Sequence, residues 1–177
     1  MRKILITGGP STGKTILINE LEKLGFNCFK EISREITKEW KKKGIDQFFL
    51  TDPIAFSKIL YKGRLNQYKS AKIDNENYVF DRGPIDVIAY LNFKNVSYDS
   101  ELFKSSSELN YDFSFILPPW EEIYTNDLER YESFEECERI NQNLVKTYME
   151  NKINLIEVPK FSVKERVNFI NEFLSNE

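Results

Sequence analysis

The chain has 177 residues, 41% hydrophobic and 30% charged, with a formal net charge of −3, which is enough chain for one water-soluble domain with a full core. This balance excludes a nucleic-acid binder that works by bulk charge, and no apolar run reaches the roughly 18 residues that a membrane span needs. Histidine is absent, so Ser-His-Asp and Cys-His catalysis, His-ligated zinc and imidazole acid–base chemistry are all excluded. Proton transfer falls to a carboxylate, Lys, Tyr or the substrate itself.

Lys3 to Thr7 is a largely apolar run closed by glycines, which predicts a central strand buried on both faces. From Lys14 the spacing turns helical, with Ile16, Leu17, Leu21 and Leu24 on one stripe and Gly25 at the C-terminal end. A short second strand is expected from Phe26 to Lys30, then a polar amphipathic helix from Ile32 to Lys43. The basic run Lys41-Lys42-Lys43 follows Glu31, Glu35 and Glu39 and reads as the solvated end of that helix.

Asp52-Pro53 is a helix-start signal, acid as N-cap and proline at the first helical position. It predicts a long helix to about Ala71 carrying Phe56, Ile59, Leu60 and Leu65. Tyr78 to Asp81 is a third strand that ends in an acid, and Pro84 opens a helix through Ala89 and Leu91. Phe113 to Leu117 is a fourth strand, closed by Pro118-Pro119. Trp120 to Glu132 is polar and aromatic without a period. Phe134 to Met149 is helical, Asn154 to Val158 a fifth strand, and Val163 to Leu174 a terminal amphipathic helix. No repeat or linker interrupts the order, so residues 1–177 read as one domain.

Strands that alternate with helices predict a three-layer α/β fold with a mainly parallel five-stranded sheet. Cys28 and Cys137 lie far apart without metal or redox spacing, and as ordinary thiols they fit a cytoplasmic protein without a signal peptide.

Between the first strand and the first helix stands Gly8-Gly9-Pro10-Ser11-Thr12-Gly13-Lys14-Thr15, which fits G-x-x-x-x-G-K-[ST]. Such a loop wraps backbone N–H groups around phosphates at the positive end of a helix dipole. Lys14 is expected at the β/γ-phosphates and Thr15 at Mg²⁺. The fold is therefore expected to be that of a P-loop nucleoside triphosphatase, with ATP or another nucleoside triphosphate and Mg²⁺ as its cofactors.

Asp81 ends the third strand where a carboxylate would serve the metal and its waters or act as a general base. Arg82 has two readings, a contact to the phosphoryl acceptor or an ion pair with Glu31 or Asp86. Ligands of open α/β sheets sit beyond the carboxyl ends of the strands. That places Glu31 to take a proton from an acceptor hydroxyl, with Arg34 and then Glu35 as neighbours. Residues 118–135 read as a lid, in which Arg130 is the leading cation for the transferring phosphoryl group, backed by Arg139. Asp127 would cap the next helix or orient the arginine. Trp120, Tyr124 and Tyr131 would pack the lid or stack on a base.

The stretches ILITGGPSTGKT, KEISREI, DPIAFSKIL, YVFDRGPIDVIAYL and PPWEEIYTNDLERYESFEE occur in that order. Over nearly the whole chain they resemble the NadR-like P-loop ATPase/kinase family, often filed among AAA ATPases. The resemblance implies the kinase-like branch, with the acid-bearing strand beside the P-loop strand, and relatives that phosphorylate ribosyl nicotinamide or other nucleosides. It carries over the loop Gly8 to Thr15 and Asp81, and by weaker analogy Glu31, Arg34 and Arg130. It does not carry over a substrate.

Two functions stand open. One is a small-molecule kinase that transfers the γ-phosphoryl group to a nucleoside- or nucleotide-like acceptor. The other is a nucleotide-dependent switch with slow hydrolysis and a protein or lipid partner. A GTPase switch is disfavoured because Asn-Lys-x-Asp is missing, its nearest imitation being Asn151-Lys152-Ile153-Asn154. A vestigial site is the third case.

Overall fold

Side chains alternate between two cores along each central strand, as a period of two requires. In β1 (Arg2–Gly8), Ile4 and Ile6 enter one core and Leu5 the other. The same division separates Val79 from Tyr78 and Phe80 in β3 (Asn77–Asp81), and Phe115 from Ile116 in β4 (Phe113–Leu117). A sheet apolar on both sides must be covered on both sides. With β2 (Asn27–Phe29) and β5 (Ile156–Glu157), the strands run parallel in the order β2-β3-β1-β4-β5. The computed structural model describes residues 2–71, 76–125 and 132–175.

The helices are α1 (Lys14–Lys23), α2 (Ser33–Lys42), α3 (Phe48–Thr51), α4 (Pro53–Ser70), α5 (Pro84–Phe93), α6 (Phe134–Glu150) and α7 (Val163–Ser175). Leu17, Ile18 and Leu21 of α1, with Val167, Ile170 and Leu174 of α7, close one face of the sheet. Ile85 and Ala89 of α5, with Ile140, Leu144 and Tyr148 of α6, close the other. Leu60 and Tyr61 of α4 pack outside α5 on Val87, Ile88 and Leu91. The three-layer α/β architecture expected from the sequence is thus present, with Asp81 of β3 beside β1.

The N-cap signal at Asp52 is realised, its carboxylate accepting from Ala55 N at 2.9 Å with Pro53 following. At α6 the cap is Ser133, which exchanges bonds with Glu136 in a capping box. Asp127, read as a candidate cap, lies outside the described residues.

Both edge strands are shorter than expected, because each pairs along one side only. Among the elements without a periodic signal are α3 and a 3-10 segment at Ser100–Glu108. Aromatic contacts from distant elements fix them instead. Phe48 stacks on Trp40 with centroids 4.1 Å apart, and Phe103 meets Tyr61 at 4.9 Å.

Candidate functional site

The carboxyl ends of the strands bring together Lys14, Glu31, Asp81 and Arg82 among the charged residues singled out in the sequence. The P-loop begins where β1 passes β4 so closely that only glycine fits. Gly8 has φ +143°, and a Cβ there would meet the Leu117 carbonyl oxygen at 2.5 Å. Gly9 is buried, Pro10 half-buried, and Ser11 donates to the Thr125 carbonyl at 2.7 Å. Thr12 Oγ1 donates to the Gly9 carbonyl at 3.1 Å. Gly13, with φ +86°, hands the loop to α1.

Lys14 is buried, and its ammonium donates to the carbonyls of Gly8 at 2.9 Å and of Gly9, and to Thr12 Oγ1 at 3.1 Å. Burial, reinforced by repulsion from Arg82, pulls its pKa down to about 7 against the attraction of Asp81, Asp86 and Glu31. Thr15 is exposed in the first turn of α1.

Asp81 stands opposite Ile6 in the parallel register and is 5% exposed. Its Oδ1 is buried and has no hydrogen-bond partner among the described residues. Burial raises its pKa, and the Lys14 ammonium opposes that rise.

Glu31 follows β2 and is held from several sides. Arg64 Nη2 donates to both carboxylate oxygens at 2.8 and 2.7 Å, Arg82 Nε forms an ion pair with Oε2 at 2.8 Å, and the backbone N–H groups of Ile32 and Ser33 donate at 2.9 and 3.0 Å. Burial alone would raise its pKa. The Arg64 and Arg82 guanidiniums overcome that and hold the carboxyl at about 2.

Of the two readings of Arg82, the ion pair is present, and it takes both partners. Its Nη1 donates to Asp86 Oδ1 at 3.2 Å while Nε holds Glu31, and the guanidinium lies 5.5 Å from the Tyr90 ring centroid. A left-handed backbone, φ +69°, aims this side chain. Asp86 is fully buried and also accepts from Thr7 Oγ1 at 2.6 Å, Gly83 N at 2.8 Å and Tyr148 Oη at 2.5 Å. Thr7 precedes the P-loop, so one carboxylate links that loop, Arg82 and α6.

Arg64 and Tyr148 are members of this assembly that the sequence reading did not single out, and Asp86 appeared there only as a possible partner of Arg82. For Arg64 a signal existed, since a charged residue stands one turn after Leu60 on the buried face that Leu60 and Tyr61 mark. Arg34 and Glu35 sit exposed in the first turn of α2, and Arg139 is exposed beside the Phe93 ring. Tyr124 packs edge-on to Phe134 with centroids 5.6 Å apart and donates to the Glu132 carbonyl, a packing role. Arg130 and Tyr131 lie outside the described residues.

A model of the family described as an AAA domain matches residues 3–166. Among solved structures, deoxyadenosine kinase from M. mycoides with products dCMP and a flexible dCDP bound is similar at 20% identity and TM-score 0.70, over 99% of this chain and 100% of that one. Thymidylate kinase from Candida albicans is similar at 18% identity and TM-score 0.63, over 99% and 91%. NadR in complex with NR has 17% identity and TM-score 0.73 over 99% of this chain and 51% of its own, so the chain spans about half of that protein. No curated protein sequence matches significantly. The NadR-like P-loop resemblance and the fold class read from the sequence both hold.

Proposed function

The chain belongs to the AAA-domain family, and on that premise we propose that it is an ATP-dependent phosphotransferase acting on a hydroxyl of a nucleoside- or nucleotide-like small molecule. The observation that carries this reading is Glu31, an ionised carboxylate clamped by Arg64 and Arg82 beside Lys14 and Asp81. A nucleotide-binding switch would give this assembly no task.

In the reading proposed, Gly8 to Thr15 cradle the phosphates of ATP and Lys14 turns from its loop carbonyls to the β/γ-phosphates. The acceptor hydroxyl oxygen bonds to the γ-phosphorus as the bond to the β,γ-bridging oxygen breaks, and ADP leaves. Glu31 orients the hydroxyl and accepts its hydrogen bond, and as the O–P bond completes and the hydroxyl oxygen turns acidic its proton passes through Glu31 to water. Held at about 2, its carboxyl is a weak base, which suits a loose transition state in which positioning outweighs proton abstraction. Mg²⁺ would be held by Thr15 and, directly or through water, by Asp81. The buried, unpartnered Asp81 Oδ1 fits that duty. Bound there, the ion supplies charge neutralisation on the phosphates.

Arg64 and Arg82 are already neutralised by Glu31 and Asp86, which favours an uncharged hydroxyl-bearing acceptor over a monophosphate. Arg34 borders the same edge as a substrate contact. Residues 118–135 form the lid of this proposal, with Arg130 as its cation. Among the described residues no helix is long and apolar enough to cross a membrane. Cytoplasmic residence is part of the same reading, with Cys28 and Cys137 both free thiols. A screen with γ-labelled ATP over nucleosides and nucleotides tests it. A labelled nucleoside product supports the reading, and ATP binding with no acceptor phosphorylated overturns it.

A further inference from the structure

Arg166 stands in the first turn of α7, its backbone N–H bonded to the Ser162 carbonyl at 3.0 Å. Its side chain leaves the helix and ends on the P-loop, where Nη1 donates to the Thr12 carbonyl at 3.1 Å. A Cβ on Gly13 would lie 3.1 Å from the same nitrogen. The guanidinium faces the Trp120 ring, 4.8 Å from its centroid. Only 5% of the residue is exposed, and its Nε is buried without a hydrogen-bond partner among the described residues.

The neighbouring buried arginines show what is unusual here. Arg64 faces Glu31, and Arg82 faces Glu31 and Asp86. Among the described residues no carboxylate pairs with Arg166, and burial lowers its pKa. A buried guanidinium without a counter-ion is costly, and one carbonyl and one ring face compensate only part of that cost. The charge sits against the two residues that precede Lys14, on a loop whose backbone is built to receive an anion.

We propose that Arg166 is a phosphate-binding residue contributed by the C-terminal helix, a buried cation whose counter-ion is the polyphosphate of the bound nucleotide. The proposal rests on the nucleotide-binding reading above and adds a residue to it. It ties occupancy of the P-loop to the position of α7, because the arginine that meets the anion is anchored in that helix. It also gives the free protein a charge unpaired among the described residues, which nucleotide binding relieves.

The test is calorimetric titration of inorganic tripolyphosphate and of ATP, each with Mg²⁺, into wild type, Arg166→Met, Arg166→Gln and Arg166→Lys. Circular dichroism reports folding, and Arg166→Gln serves if Arg166→Met fails to fold. Wild type is expected to bind both probes. Arg166→Met and Arg166→Gln should bind each about tenfold or more weakly, the scale of a lost charge-assisted hydrogen bond. Arg166→Lys, which keeps the charge, should stay within about threefold. Free Arg166→Met should melt at or above the wild-type temperature, because an unpaired buried charge has gone. Equal tripolyphosphate binding by wild type and the two neutral variants overturns the proposal. Weakening confined to ATP also overturns it, by assigning Arg166 to the base. Wild type that binds neither probe removes the nucleotide reading itself and this proposal with it, and that result is visible before any variant is made.

Discussion

Arg64 Nη2 donates to both oxygens of the Glu31 carboxylate, at 2.8 and 2.7 Å, and so ties the residues following β2 to the middle of α4. The same carboxylate takes Arg82 Nε at 2.8 Å. If this acid orients the acceptor, Glu31→Gln should lower turnover by about 10², the scale of a misplaced reacting group. ATP affinity should change little, because the P-loop is untouched. Steady-state kinetics with nucleotide binding measured separately checks the split. A parallel loss of both would place Glu31 in nucleotide binding instead.

Glu31 also predicts a pH dependence of stability. Its folded pKa of about 2 lies below the ordinary value of 4.5, so the ionised form is the one the fold favours. The stabilisation is complete above the unfolded pKa and disappears as pH falls toward the folded one, amounting to about 3 kcal/mol. Urea unfolding from neutral pH downward should show wild type converging on Glu31→Gln between the two pKa values. A constant difference over that window would contradict the two-guanidinium clamp.

Lys14 shifts the other way for the other reason. Burial pulls the ammonium down to about 7 from 10.5, so above neutrality the free protein holds it largely uncharged. Polyphosphate supplies the anion that restores its charge. Nucleotide binding should therefore take up protons at pH about 8 to 9 and take up fewer near pH 6. Binding enthalpies in buffers of different ionisation enthalpy measure the uptake. No buffer dependence at the higher pH would sink this account of Lys14.

Asp86 and Tyr148 test the buried support beneath Arg82. Tyr148→Phe removes one donor to Asp86 and should cost about 1–2 kcal/mol of unfolding free energy. Asp86→Asn replaces an acceptor of four donors with an amide that must itself donate, and should cost more, about 3 kcal/mol or above. Because the two share a bond, the double variant should be less destabilised than the sum of the singles. Additive losses in urea titrations would mean that the pair is not coupled.

Much of the fold is legible in local patterns. The alternation in β1, β3 and β4, the Asp52-Pro53 start of α4 and the glycines around the P-loop each act through neighbours in sequence, so spacing alone reveals them. Short pieces were not legible. Four residues of α3 have no period to read, and they hold their shape because Phe48 reaches Trp40 and Phe56. Within the candidate site, Glu31 and Asp81 could be read because one follows and the other ends a recognisable strand. The part played by Arg64 and by Tyr148 could not be read, because each sits within a long helix and meets its partner only across the fold.

The octapeptide Gly8 to Thr15 determined the phosphate loop by itself, since a loop of backbone amides at a helix start is a local object. The absence of histidine likewise confined the chemistry to carboxylates and cations before any contact was known. Tertiary structure decided which of those charges are spent. Arg64 meets Glu31 across 33 residues, Tyr148 meets Asp86 across 62, and Arg166 reaches Thr12 across 154. Such pairings leave no periodic trace, because they arise only when a parallel sheet stacks its carboxyl ends along one edge and lets distant helices close over them.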